Sequence, residues 1–187
     1  MKEALSRWVP RAVIVLGLVG MWKLNRYGIE ESRRSAALAT PRPPGKVPRD
    51  GVPLELRFTA LDGREVDLAA LRGKVVLMDF WSTTCGQCVA DLPRVRNVFE
   101  QFHPQGLEVI GISLDNERDR ERLKECVAQQ KLPWPQHFDG EGWSSPLAKR
   151  FGIYHIPAMM LLDKKGAFRE FAHKNLAADV KRLLAEP

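Results

Sequence analysis

Apolar and polar positions along the chain switch between two periods. LELRFTALDGREVDL, residues 54–68, reads as two short strands around an Asp62-Gly63 turn. KVVLMDFW, residues 74–81, is an almost unbroken apolar run, the pattern of a central strand covered on both faces. From residue 86 the period lengthens: Val89, Leu92, Val95, Val98, Phe99 and Phe102 fall on one helical face through residue 102. LEVIGISL, residues 107–114, is a second buried strand, and residues 116–130 form a charged amphipathic helix with Leu123, Cys126 and Val127 on one stripe. A short helix over 144–151, a strand over 158–163, a Lys164-Lys165-Gly166 turn into AFREFA and a helix over 176–186 complete the series. Strands alternating with helices predict an α/β fold: a mixed central sheet flanked by helices, entered through an N-terminal β-hairpin.

The first fifty residues follow another pattern. AVIVLGLVGMW, residues 12–22, carries no charge and sits behind Lys2, Arg7 and Arg11. Extended over Trp8 to Leu24 it gives 17 residues, close to a membrane span if Arg11 and Lys23 reach the two surfaces. Ala37-Leu38-Ala39 has the small-x-small form of a signal-peptidase site, but four basic residues separate it from the apolar core. The expectation is therefore an uncleaved N-terminal anchor, with secretion after cleavage as the alternative, and the folded part on the periplasmic or extracytoplasmic side. Five prolines between residues 41 and 53 read as a semi-stiff tether. Residues 1–32 are assigned to the signal or anchor, 33–51 to the Pro-rich linker and 52–187 to the folded domain.

Charge changes the picture once it is located. Net charge is +6, yet residues 1–50 carry 10 Lys+Arg against 4 Asp+Glu, and the rest carry 19 of each. The folded part is neutral, so it has no basic face for nucleic acid.

Cys85 and Cys88, in FWSTTCGQCVADLP, are the chemical centre of the sequence. Structural zinc needs four ligands, usually in two chelating pairs. The remaining candidates, Cys126, His103, His137, His155 and His173, supply no second pair, so no metal is expected. The cysteines follow a buried strand and open a helix. Cys85 at the helix N-terminus gains thiolate stabilisation from unpaired N–H groups, and Cys88, one turn on, is close enough to attack a mixed disulfide. The alternative is two buried core cysteines. Asp79 interrupts the apolar run where burial raises a carboxylate pKa, and a raised carboxylate could take the Cys88 proton. A strand-end Asp reaching solvent is the alternative reading.

DFWSTTCGQC resembles the thioredoxin active site, with Pro93 five residues after Cys88. The wider series LDGREVDLAALRGKVVLMDFWSTTCGQCVADLP, GLEVIGISLD and FGIYHIPAMMLLDKKG is similar to the membrane-anchored TlpA/ResA-like thiol-disulfide oxidoreductases of the redoxin (AhpC/TSA) superfamily over residues 52–187. The resemblance implies a thioredoxin fold with an N-terminal hairpin and an inserted helix-containing segment. It implies that Cys85 is the nucleophile, Cys88 the resolving cysteine and Asp79 the buried proton acceptor. Trp81, Gly86, Gln87, Ile156 and Pro157 are implied on the substrate side, with Pro157 in the cis form. It calls for no cofactor. The implied partners are a disulfide-containing protein substrate and a membrane electron donor. Three positions depart from the pattern: Ser82 stands in place of alanine, Thr84 in place of a second tryptophan, and Gly86-Gln87 in place of Gly-Pro. With no cationic residue between the cysteines, the strongest local cause of a very low thiol pKa is missing, which favours a reductase over a strong oxidant.

Two other functions remain open from the residues. A peroxiredoxin would need a Pro-x-x-x-Thr-x-x-Cys setting; Ser82 stands at the Thr position, but residue 78 is Met. A thioredoxin-like binding or copper-handling module would keep the fold without the exchange chemistry. Cys126 reads as a small residue on an apolar stripe. His155, beside Ile156-Pro157, either tunes the site or flanks it.

Overall fold

The computed structural model describes residues 51–172 and 175–187; the anchor, the cleavage site and nearly all of the linker lie outside the described residues. The first strands, β1 (Arg57–Thr59) and β2 (Glu65–Asp67), form the antiparallel hairpin around Asp62-Gly63, with Phe58 opposite Val66. The apolar run becomes β3 (Val75–Trp81), in which all seven residues are buried. Cys85 then caps α1 (Gly86–Phe102). The second apolar run is β4 (Leu107–Ser113), followed by a 3-10 turn over Glu117–Asp119 that leads into α2 (Arg120–Gln129). Next come β5 (Gln136–Phe138), α3 (Pro146–Phe151), β6 (Ala158–Leu162), β7 (Phe168–Phe171) and α4 (Leu176–Ala185).

The main sheet has the order β5-β4-β3-β6-β7. β3 runs parallel to β4 and antiparallel to β6, so the sheet is mixed and β3 lies at its centre. Side chains on a strand alternate between faces. Val76, Met78 and Phe80 therefore join Ile110, Ile112, Met160 and Leu162 beneath Leu147 and Phe151 of α3 and Leu54, Leu56 and Leu68 around the hairpin. Val75, Leu77 and Trp81 face the other way, onto Cys88, Leu92 and Val95 of α1, Leu123 of α2, and Val180 and Leu183 of α4. The segment between β4 and β6 holds α2, β5 and α3.

One strand was not apparent in the sequence. β5 is three residues long and follows Trp134-Pro135, with no alternation to mark it. It forms because Gly111, Ile112 and Ser113 of β4 offer it a parallel edge. Gly111 is what lets β5 approach: a Cβ at that position would stand 1.9 Å from Gln136 Oε1. That same oxygen accepts the Trp81 indole N–H at 3.0 Å.

Gly111→Ala is therefore expected to push the Gln136 amide aside and leave the buried Trp81 N–H unpaired, at a cost of about 1–3 kcal/mol. Urea denaturation measures it: a lowered midpoint at unchanged slope is the expected result, and an unchanged midpoint would show that Gln136 moves freely.

Candidate active site

Asp79 lies in the middle of β3, opposite Gly111 of β4 and Met159 of β6. It is 3% exposed, so it is not a strand-end residue reaching solvent. Alternation puts it on the same face as Leu77 and Trp81, beneath α1. Burial pushes its pKa up to about 7, the nearby Asp91 carboxylate pushes in the same direction, and the Arg94 guanidinium pulls back. Both modifiers come from α1, where Arg94 Nη2 is 3.3 Å from Asp91 Oδ2 and 3.9 Å from Met159 Sδ.

Cys85 and Cys88 form a disulfide, with Cα atoms 5.2 Å apart. Cys85 is the N-cap of α1, and its sulfur accepts the Cys88 backbone N–H at 3.1 Å. The first-turn N–H groups of a helix have no intrahelical acceptor, so a sulfur placed there sees their partial positive charge. Cys88 is buried among Trp81 and Leu92, whereas Cys85 is half-buried. The accessible sulfur and the sheltered one are thus distinguished by position alone. Pro93 stands inside α1 and has no N–H to give the Val89 carbonyl one turn back.

Across from the disulfide, the Ile156-Pro157 bond is cis. Cys85 Sγ lies 4.0 Å from the Ile156 carbonyl oxygen. Ile156 and Pro157 are half-buried, and Gly86 and Gln87 are exposed beside Cys85. A groove of about 310 Å³ opens along this rim, lined by Tyr154, His155, Pro157, Met159 and Phe171. Trp81 is the exception among the residues expected to meet substrate. It is 1% exposed and its N–H is held by Gln136, so it supports the disulfide from below and has no surface to offer a partner.

Three residues of the site were missed in the sequence. Asp91 and Arg94 act on Asp79, and Asp91 follows Cys88 by three residues, the spacing that returns a side chain to the same helix face. The third, Asp115, is a buried carboxylate just beyond β4 that accepts hydrogen bonds from Ser82 and Thr83. Its signal was positional: it follows the strand parallel to β3, and the carboxyl ends of neighbouring parallel strands are where an α/β sheet builds its sites. The Ser82 hydroxyl, at the position that departs from alanine, is one of the groups bound to it. Thr84 is exposed, so the polar side chain in the tryptophan position faces solvent next to Cys85.

Cys126 is a free, half-buried thiol on α2, and burial pushes its pKa up. His155 is exposed on the groove's rim. Among the described residues no three His, Cys, Asp or Glu side chains come together as a metal-ligand set. No helix among them is long and apolar enough to cross a membrane.

Residues 50–171 match the AhpC/TSA family. A thiol-disulfide oxidoreductase ResA of Bacillus thuringiensis subsp. konkukian is 30% identical over 164 residues, covering 86% of this chain and 84% of that one. A ResA of Bacillus cereus is 30% identical over 108 residues, 58% of this chain and 60% of that one. Among solved structures, the thioredoxin domain of a thiol-disulfide oxidoreductase from Bacteroides vulgatus superposes with a TM-score of 0.63 at 23% identity, over 73% of this chain and 98% of that one. A thioredoxin-family thiol:disulfide interchange protein from Chlorobium tepidum gives 0.64 at 20% identity, over 73% and 98%. A disulfide capping a helix at the end of a central strand, on a sheet of thioredoxin topology, agrees with these likenesses: the chain belongs to the AhpC/TSA family and is a TlpA/ResA-like, thioredoxin-fold thiol-disulfide oxidoreductase.

Proposed function

We propose that this protein reduces disulfides in other proteins outside the cytoplasm, tethered by its N-terminal segment and recharged by a membrane electron donor. The observation that carries the exchange chemistry is the Cys85–Cys88 disulfide at the N-terminus of α1, with the Cys88 N–H on Cys85 Sγ. The reading of residues 1–32 as an anchor, followed by the linker over 33–51, supports the location and the donor.

The reaction starts from the dithiol. Cys85 thiolate attacks one sulfur of the substrate disulfide; a protein–substrate disulfide forms and the other substrate sulfur leaves as a thiolate. The Cys88 thiol then gives its proton to Asp79 and attacks Cys85 Sγ. The second substrate sulfur leaves, and the Cys85–Cys88 disulfide remains. Two electrons have passed to the substrate, so the disulfide form described here is the product of one turnover. A dithiol donor returns the two electrons and resets the pair. Asp79 suits the proton step because its pKa of about 7 leaves it able both to accept and to release a proton near neutrality. The half-buried Ile156 and Pro157, facing Cys85, and the exposed Gly86-Gln87 edge are the surfaces for the substrate chain.

The reduction potential of the pair, measured on the full chain in detergent with graded thiol buffers, tests the direction. A value near or below about −250 mV is expected of a reductase, and one between about −120 and −180 mV would turn the reading to an oxidase or isomerase. Rapid turnover with hydrogen peroxide would point instead to a thiol peroxidase. Cys85→Ser is expected to abolish disulfide reduction, and Cys88→Ser to trap the mixed disulfide, seen as a covalent adduct on a non-reducing gel.

Asp79→Asn is expected to slow resolution by about 100-fold and to remove the rate's dependence on a group titrating near pH 7. Retention of both would exclude Asp79 as the proton acceptor. The same change has a stability signature in the oxidised protein. Asp79 has a pKa of 3.8 when unperturbed and about 7 when folded, so the folded state binds the extra proton between these values. Stability therefore falls as pH rises from about 4 through about 7 and is lowest above it. Asp79→Asn is expected to flatten that fall and to exceed the parent above pH 7 by up to about 4 kcal/mol. Parallel stability curves for the two proteins would contradict the assignment.

A further inference from the structure

The turn between β3 and α1 is held by one carboxylate. Asp115 is 1% exposed. Its Oδ1 accepts from Ser82 Oγ at 2.8 Å, from Thr83 Oγ1 at 2.7 Å and from the Thr83 backbone N–H at 3.0 Å. Its Oδ2 accepts from Ser113 Oγ at 2.8 Å and shares the Thr83 N–H at 3.1 Å. A carboxylate offers about four acceptor positions, and four donor groups converge on this one. The network continues toward the nucleophile. Ser82 Oγ accepts the Thr84 N–H at 3.1 Å and lies 2.8 Å from Thr84 Oγ1, while the Ser82 carbonyl accepts the Cys85 N–H at 3.1 Å. The segment leading from β4 to Asp115 is fixed in turn, because Ser113 pairs with Trp81 and the Leu114 N–H donates to the Trp81 carbonyl at 2.8 Å.

We propose that Asp115 is a positioning residue for disulfide exchange: acting through Ser82 and Thr83, it fixes the turn that sets Cys85 Sγ on the N-terminus of α1. This rests on the oxidoreductase reading for the reaction, and on geometry alone for the placement of the thiol. The turn has to leave an extended strand and enter a helix within four residues, with Cys85 at φ −93° and ψ 99° as the cap. Nothing in the Ser-Thr-Thr sequence imposes that path, since hydroxyl side chains bond equally well to their own backbone. The buried anion supplies the single point on which Ser82 and Thr83 converge. Without it the turn relaxes, Cys85 Sγ leaves the axis of the first-turn N–H groups, and the thiolate loses the contact that favours it.

Asp115→Asn removes a negative charge but keeps one acceptor oxygen, so it mixes a loss of charge with a weakened anchor, and the two act on the Cys85 thiolate in opposite directions. The uncharged changes Ser82→Ala and Thr83→Val decide the matter, because each deletes a donor and leaves the carboxylate in place. In a Cys88→Ala, Cys126→Ala background of the full chain, the pH profile of Cys85 alkylation by iodoacetamide is expected to move upward by about half a pH unit in each. In the chain with all cysteines intact, each is expected to reduce insulin disulfides about fivefold more slowly, the scale of one hydrogen bond. Thr83→Ser, which keeps the hydroxyl, is expected to recover most of the loss seen in Thr83→Val. Alkylation profiles and rates within twofold of the parent in both Ser82→Ala and Thr83→Val, with cooperative unfolding retained, would overturn the proposal. So would a Thr83→Ser variant no better than Thr83→Val. If the parent reduced no protein disulfide at all, the oxidoreductase reading would fail, and the alkylation profiles would still decide the role of Asp115.

Discussion

The structure depends on burying β3 on both faces. Its seven residues are all removed from solvent, three helices cover one side and α3 with the hairpin region covers the other. A strand in that position makes a rigid base for whatever leaves its carboxyl end, and what leaves it is the turn to Cys85. The same burial makes a polar residue within the strand expensive unless it is neutral or paired. Asp79 is such a residue. It answers the cost by holding a proton up to about neutral pH, and that property suits it to proton exchange with a thiol.

Two buried carboxylates thus serve one disulfide by different physics. Asp79 faces the underside of α1 with desolvation and the Asp91 charge acting on it. Asp115 faces the turn and is surrounded by donors from Ser82, Thr83 and Ser113. The first suits moving a proton, the second holding backbone. The polar residues at 82–84, which depart from the thioredoxin-like pattern, have a local purpose in this arrangement. Ser82 and Thr83 turn inward to Asp115, and Thr84 remains on the surface where a tryptophan would otherwise present an apolar contact. That rim is more polar, while the groove beside Pro157 keeps its apolar lining from Met159 and Phe171.

Residue types and periodicity carried much of this in advance. The helix over residues 86–102 coincides with α1, because Val89, Leu92, Val95, Val98 and Phe102 keep one face for more than three turns. The hairpin and β3 were legible for the same reason: a two-residue turn signal and an uninterrupted apolar run leave few alternatives. The helix expected from residue 116 instead starts as a 3-10 turn and becomes α-helical at Arg120, an end effect that apolar spacing does not register. β5 was invisible because three residues carry no period. The resemblance implies Trp81 among the substrate contacts, but the residue after Phe80 must point to the opposite face, and that face is covered by α1.

By itself the sequence determined the order of strands and helices, the neutrality of the folded part, and a dithiol at a strand-to-helix junction. These are local properties of spacing and composition, and they survive without knowledge of what packs where. Tertiary structure decided the rest. It determined which sulfur is sheltered, that Asp91 and Arg94 bear on Asp79, that Gln136 holds Trp81 through the gap left by Gly111, and that Asp115 reaches back 32 residues to Thr83. Each of these joins residues far apart in the chain, and such contacts follow from sheet order and burial, which no local pattern encodes.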